Sequence, residues 1–325
     1  MVLPVIYFII GLILLIKGGD WFVDGATGIA HRFHVPELLI GATVVSIGTT
    51  LPEVMVSATS AVGGHGEIAY GNAIGSIICN VCLIAALTIA IRPSATDKKT
   101  LKLPVFFFFF AAAFYSATAY ISGHFSRFTG LILLAMFGAY IGISVYQITH
   151  NPAPAVVSAT SDSSEKKDSS MLKDIILLVV GAVLIAFGAN LLVDNGTIIA
   201  RELGVPESVI ALTFVALGTS LPELVTAITS LTKGHGALSL GNVIGANLFN
   251  LVLVSGVAVT IAPFDVPVGK LLLGYNASLV LDIPLMLLVM LLLTVPALTK
   301  KRLSRWQGIT LLAIYAAFCA FQFFV

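Results

Sequence analysis

Charge is scarce in this chain. Asp, Glu, Lys and Arg make up 10% of its 325 residues and hydrophobic residues 58%, too little charge to clothe a water-facing surface of this size. A mean hydropathy of +1.03 says the same. With a formal net charge of +1, no nucleic-acid partner is expected. Cysteine is sparse too, at three residues. Cys79 and Cys82 form a C-x-x-C amid apolar neighbours, without counterparts in the second half of the chain, so they read as small core residues rather than a redox pair or half a zinc site. Cys319 stands alone. His and Cys nowhere cluster, which weighs against zinc, copper or iron. The glycine-rich segments lack the Lys and Ser/Thr of a phosphate-binding loop, and no hydrolytic motif appears. Neither an enzymatic reaction nor a cofactor is expected.

Long apolar runs fill the space that charge leaves. They fall near 2–30, 37–62, 68–91, 103–122 and 128–148, then 172–200, 207–232, 238–262, 272–296 and 306–324. Each suits the ~20 residues that cross a hydrocarbon core about 30 Å thick. The expected fold is all-α: a polytopic membrane protein of ten transmembrane helices. Met1 to Ile16 has no basic n-region and no small-residue cleavage site, so the first run reads as a retained helix.

The second half of the chain repeats the first at a constant shift of 170 positions. Gly48-Thr49-Thr50-Leu51-Pro52-Glu53 returns as Gly218-Thr219-Ser220-Leu221-Pro222-Glu223, and Gly71-Asn72-Ala73-Ile74-Gly75-Ser76 as Gly241-Asn242-Val243-Ile244-Gly245-Ala246. The expected division is a five-helix unit over 1–149, a linker over 150–171 and a second unit over 172–325. A unit with an odd number of spans enters the membrane from the opposite side when repeated, so the units are expected to be inverted, the arrangement of alternating-access carriers. The linker, Asn-Pro-Ala-Pro followed by a Ser-rich mixed-charge run, reads as a flexible tether. If the N-terminus is external, the inner segments hold thirteen Lys and Arg, against Arg127, Arg201 and Lys270 outside. Both termini are therefore expected outside and the linker in the cytoplasm.

The repeated motifs concentrate oxygen in these apolar runs. Pro52 and Pro222 lack the N–H that would pair with the carbonyl four residues earlier, freeing backbone oxygens that lipid cannot satisfy. On a helix Ser46, Thr49, Thr50 and Glu53 share one face, as do Ala216, Thr219, Ser220 and Glu223. A second stripe, Asn72, Ser76 and Asn80, recurs as Asn242, Ala246 and Asn250. Carboxylate, hydroxyl, amide and carbonyl oxygens suit hard cations such as Ca²⁺ and Na⁺. No Lys or Arg lies near the motifs, so cations or protons must neutralise the two glutamates. One Ca²⁺ or two Na⁺ would do so, and mutually exclusive use of the same oxygens is the simplest basis for exchange.

These paired G-T-[TS]-L-P-E and G-N-x-I-G-[SA] motifs, in inverted repeats over the whole chain, resemble the cation/Ca²⁺ exchanger superfamily, specifically its prokaryotic Na⁺/Ca²⁺ exchanger branch. The resemblance implies an antiporter of a prokaryotic inner (plasma) membrane whose second, third, seventh and eighth helices form the ion site. It implies Glu53 and Glu223 as central ligands, with Thr49, Thr50, Ser76, Asn80, Thr219 and Ser220 as side-chain ligands and Ser46 and Ala216 offering backbone carbonyls. The first and sixth helices would slide across the core. Family members often carry a serine at Ala246 and an aspartate at Asn250, so Asn250 enters the candidate site as a position of altered charge.

Other readings stay open at this point. A Ca²⁺/H⁺ or other cation/H⁺ exchanger would use the same glutamates as proton carriers, and a cation channel would use similar oxygens. Glu37 and Glu207 follow prolines at expected helix starts, where a carboxylate faces the helix dipole. His65 and His235, each within Gly-His-Gly, read as loop geometry, and Asp282 has Ala112 as its repeat counterpart.

Overall fold

The computed structural model describes residues 2–93, 96–150, 170–203, 218–268 and 271–324. The apolar runs fold as helices: α1 (Val2–Arg32), α2 (Glu37–Val62), α3 (Gly66–Ile91), α4 (Lys98–Ser122), α5 (Arg127–His150), α6 (Met171–Glu202), α7 (Leu221–Thr232), α8 (Gly236–Ile261), α9 (Ser278–Thr299) and α10 (Arg305–Phe324). Eight of these described helices, all but α7 and α10, are long and apolar enough to cross a membrane. α7 belongs to the run expected over 207–232; residues 204–217, including Glu207 and Ala216, lie outside the described residues. Most of the linker lies outside them as well.

Local chemistry sets the helix ends. The Asp97 carboxylate caps α4 by accepting from the backbone N–H of Lys99 and Thr100, and α4 closes at Gly123 with φ of 62°. α9 starts later than its apolar run, because Leu271–Leu272 and Tyr275–Asn276 pair antiparallel around Gly274. His124–Phe125 and Phe264–Asp265 form a second short ladder, joining the α4–α5 turn to the segment after α8. Among the described residues these two-residue strands, confined to loops, are a minor departure from an all-α architecture.

α1 and α6 lie against each other in opposite directions. A Cβ on Gly11 would stand 2.8 Å from the Gly188 carbonyl oxygen, and one on Gly18 would stand 3.0 Å from that of Gly181. The repeat offset carries Gly11 onto Gly181 and Gly18 onto Gly188, so these two contacts are images of each other. Equivalent helices that meet antiparallel in this way make the two units inverted. Without a hydrophobic drive between helices in lipid, such close backbone approach is what holds them. Their outer faces, including Ile13, Ile16, Val183 and Phe187, are exposed. That apolar belt suits a bilayer and no aqueous surface.

The motif helices occupy the centre. Over their most apolar stretches, 72% of α3 and 78% of α8 are buried, against 22% of α1. α8 reaches α2 closely because Gly41, Gly241 and Gly245 leave no side chain between the backbones. Phe108, Tyr115, Phe125, Tyr140 and Phe249 fill the core around this crossing.

Candidate ion-binding site

The backbone of the motif helices departs from the α ladder where the polar residues sit. α3 widens into a π turn over Asn80–Ala85 and α8 over Asn250–Val254, so both turns begin at the last asparagine of the stripe. α2 carries another over Gly41–Val45, ending just before Ser46. Such turns loosen backbone groups from regular pairing and recur at functional sites. The two prolines play unlike parts. Pro52 lies inside a helix running unbroken from Ser46 to Val62, whereas Pro222 stands in the first turn of α7, which Ser220 precedes.

Glu53 and Glu223 are both 0% exposed, and all four carboxylate oxygens lack a hydrogen-bond partner among the described residues. The Thr50 and Ser220 hydroxyls and both side-chain amide atoms of Asn80 and of Asn250 are likewise buried and unpartnered. Ser46, Thr49 and Ser76 are buried, and Thr219 is half-buried. An unpaired buried polar atom is costly, and two buried carboxylates far more so. This concentration of orphaned oxygen in the helical core has the chemistry to accommodate a hard cation, which would satisfy oxygens that the described donors leave unpaired. Among the described residues no Lys, Arg or His pairs with either glutamate; the ion pairs, such as Arg32–Asp174 and Lys233 with Asp20 and Asp24, lie elsewhere. Nor do the described residues hold a cluster of three His, Cys, Asp or Glu, so neutral oxygens must supply most of any coordination shell.

Two residues that the sequence placed on the stripe, but outside the ligand set, tie the repeats together. The Thr49 hydroxyl donates to Asn242 Oδ1 at 3.2 Å, and the Thr219 hydroxyl donates to Asn72 Oδ1 at 3.3 Å. The repeat offset interchanges these bonds, so each asparagine holds the motif threonine of the opposite unit. Asn72 Nδ2 also donates to the Glu53 carbonyl at 3.1 Å and to Ser57 Oγ at 2.9 Å. Asn242 is instead approached by Ser46, whose hydroxyl lies 3.0 Å from its carbonyl oxygen and 2.7 Å from that of Gly41. Their positions four residues before Ser76 and Ala246 were the available signal, but spacing could not show which partner they meet. Asn247, fully buried with its Nδ2 3.2 Å from Met290 Sδ, has no polar counterpart in the first repeat and gave no signal.

The remaining polar residues sort outside this centre. Glu37 does begin a helix, and His235 Nδ1 lies 2.8 Å from its carboxylate, so these two residues form a cross-repeat pair beyond the dipole and loop roles read from sequence. Cys79 and Cys82 are buried free thiols, as expected of core residues. Asp282 ends the π turn of α9.

Fold and site define a class: a membrane protein of inverted helical units with a buried, oxygen-rich polar cluster between them. The sequence profile described as sodium/calcium exchanger protein matches residues 3–146 and 173–324, and the chain belongs to that family. It is 36% identical to an uncharacterised membrane protein of Methanocaldococcus jannaschii, over 97% of this chain and 96% of the relative. It is 30% identical to the sodium/calcium exchanger MaX1 of Methanosarcina acetivorans, over 98% and 97%. An inner membrane protein of Escherichia coli is 31% identical over 87% of each chain. The structure is similar to that of the sodium-calcium exchanger NCX_Mj soaked with Na⁺ and Sr²⁺, with a TM-score of 0.80, 34% identity and 98% of both chains covered.

Proposed function

We propose that the protein is a secondary antiporter that exchanges Ca²⁺ for Na⁺ by alternating access to the site around Glu53 and Glu223. The observation that carries this reading is the pair of buried carboxylates whose oxygens find no hydrogen-bond partner among the described residues, set among buried hydroxyl and amide oxygens that are likewise unpartnered there. In a low-dielectric interior their two negative charges call for two positive ones. One Ca²⁺ or two Na⁺ meet that requirement, and occupancy by one excludes the other. In this reading Glu53 and Glu223 are the central ligands, and Thr49, Thr50, Ser76, Asn80, Thr219, Ser220 and Asn250 offer side-chain oxygens. Ser46 and Ala216 offer carbonyls. Asn242 holds Thr49 in place and Asn72 holds Thr219.

The same reading assigns ten spans, units over 1–149 and 172–325, and a cytoplasmic linker over 150–171. It puts both termini outside a prokaryotic plasma membrane. Inverted units let one half rock or slide against the other around a fixed midplane site. A second reading, Ca²⁺/H⁺ exchange, is favoured by one observation. The polar residues that open the π turns of α3 and α8, Asn80 and Asn250, are amides, so among the described residues Glu53 and Glu223 are the proposed site's only carboxylates and two protons would neutralise it as well as two Na⁺. Uptake of ⁴⁵Ca²⁺ into proteoliposomes, driven in turn by an outward Na⁺ gradient and by a pH gradient, separates the two. Uptake under Na⁺ alone supports Na⁺ coupling, uptake under the pH gradient alone supports H⁺ coupling, and uptake under neither overturns both.

A further inference from the structure

Away from the ion site, the turn between α9 and α10 gathers an unusual amount of charge. Residues 92–102 and 300–305 hold eight Lys and Arg against a single acid, Asp97. The two segments are joined: Thr96 N–H donates to the Lys301 carbonyl at 3.0 Å, and the Thr96 hydroxyl donates to that of Ala297 at 2.6 Å. Asp97 does little to neutralise them, being committed to the Thr100 hydroxyl and to the first N–H groups of α4. Partial burial works to raise its carboxyl's pKa, yet those hydrogen bonds outweigh it and hold the group below the ordinary carboxylate value. None of the eight cations pairs with a carboxylate among the described residues.

Beside this patch the ends of α9 and α10 enclose a cleft of about 400 Å³. Its lining is graded. Lys300, Arg302 and Ser304 stand on its polar side, and Leu292, Pro296 and Leu311 form its apolar wall. The turn is fixed by its own contacts. Leu303, 0% exposed, anchors it, Lys301 takes a left-handed φ of 54°, and Gln307 Nε2 braces α10 on the Leu292 carbonyl at 2.6 Å. Trp306, 78% exposed at the start of α10, suits the level where headgroups meet hydrocarbon. Val295 and Ile309, also exposed, continue the apolar wall outward along both helices.

We infer that this cleft binds the headgroup of an anionic phospholipid, with Lys300 and Arg302 on the phosphate, Ser304 as a hydroxyl donor, and an acyl chain along Leu292, Pro296 and Leu311. Unpaired cations at the end of a hydrophobic cleft between membrane helices match an amphiphile of that charge, and basic pockets of this kind take acidic headgroups. A soluble phosphate would leave the apolar wall unused. The site is independent of which ions the protein exchanges.

Native mass spectrometry of the purified full-length protein, delipidated and titrated with phosphatidylglycerol or phosphatidylcholine, tests the assignment. Wild type is expected to retain one phosphatidylglycerol in preference to phosphatidylcholine. Lys300→Gln with Arg302→Gln is expected to lower that retention by about 10- to 30-fold, the effect of two cations near an anionic headgroup. Lys17→Gln with Arg127→Gln removes equal charge elsewhere and is expected to leave retention unchanged. Size-exclusion elution and melting temperature report whether each variant folds. If the cleft variant misfolds, protection of wild-type Lys300 from amine labelling by phosphatidylglycerol, and not by phosphatidylcholine, carries the test. Equal retention of both lipids, equal loss in both double variants, or displacement of the lipid by millimolar inorganic phosphate would overturn the inference.

Discussion

Each glutamate of the proposed site is buried without a hydrogen-bond partner among the described residues, so its contribution is open to direct substitution. Glu53→Gln or Glu223→Gln keeps shape and volume while removing one charge. Each change is expected to cut Ca²⁺ uptake by at least about 100-fold, since groups that merely support metal ligands already carry 10- to 100-fold in affinity. The elution profile should be unchanged, and near-wild-type uptake in either variant would exclude that carboxylate from the site. Asn72→Ala and Asn242→Ala release the threonine of the opposite repeat. They are expected to weaken apparent Ca²⁺ affinity by about 10- to 100-fold with a smaller effect on maximal rate, as measured by concentration-dependent uptake. Asn250→Asp adds an acid to the Glu53 and Glu223 of the proposed site and should introduce a pH dependence or alter the Na⁺ requirement; an unchanged profile would put Asn250 outside the ion path. At this scale the glutamates were legible in the sequence because each stands beside a proline in an apolar run and recurs at one offset. The asparagine clamps were not, because their role rests on which threonine faces them across the repeat interface.

Among the elements, α1 and α6 depend on glycine for their contact. Gly18→Leu places a side chain where the backbone of α6 lies, with Ile185 N already 2.9 Å from a Cβ at this position. Overpacking of this kind destabilises by about 1 to 3 kcal/mol. The expected result is a lowered melting temperature in detergent and reduced uptake, and unchanged values in both would show that the helices separate without penalty. Helix positions were largely readable from apolar length, and their inversion from the odd span count, which the antiparallel glycine contacts now express in space. The later start of α9 was not readable, because Leu271 and Leu272 are as apolar as a helix and only their pairing with Tyr275 and Asn276 makes them a hairpin. The π turns at Asn80 and Asn250 were equally hidden, since no residue type marks the site of a wider turn.

Among the described residues, most Lys and Arg stand at helix ends or in turns, whereas Glu53 and Glu223 are buried within the motif helices. The positive-inside bias predicts that a cysteine introduced at Ser164, in a background with Cys319→Ser, reacts with an impermeant thiol reagent only from the cytoplasmic side. Labelling from outside would reverse the assigned orientation. The inverted units leave the proposed site built from both halves, and the two Thr–Asn hydrogen bonds cross between them. The most direct measurement is Na⁺-gradient-driven ⁴⁵Ca²⁺ uptake into proteoliposomes, with Na⁺, K⁺ and H⁺ gradients exchanged in turn for wild type and Glu53→Gln. The account predicts uptake by wild type under the Na⁺ gradient, none under K⁺, and loss in the variant. Absence of uptake under every gradient, or undiminished uptake by Glu53→Gln, would contradict it.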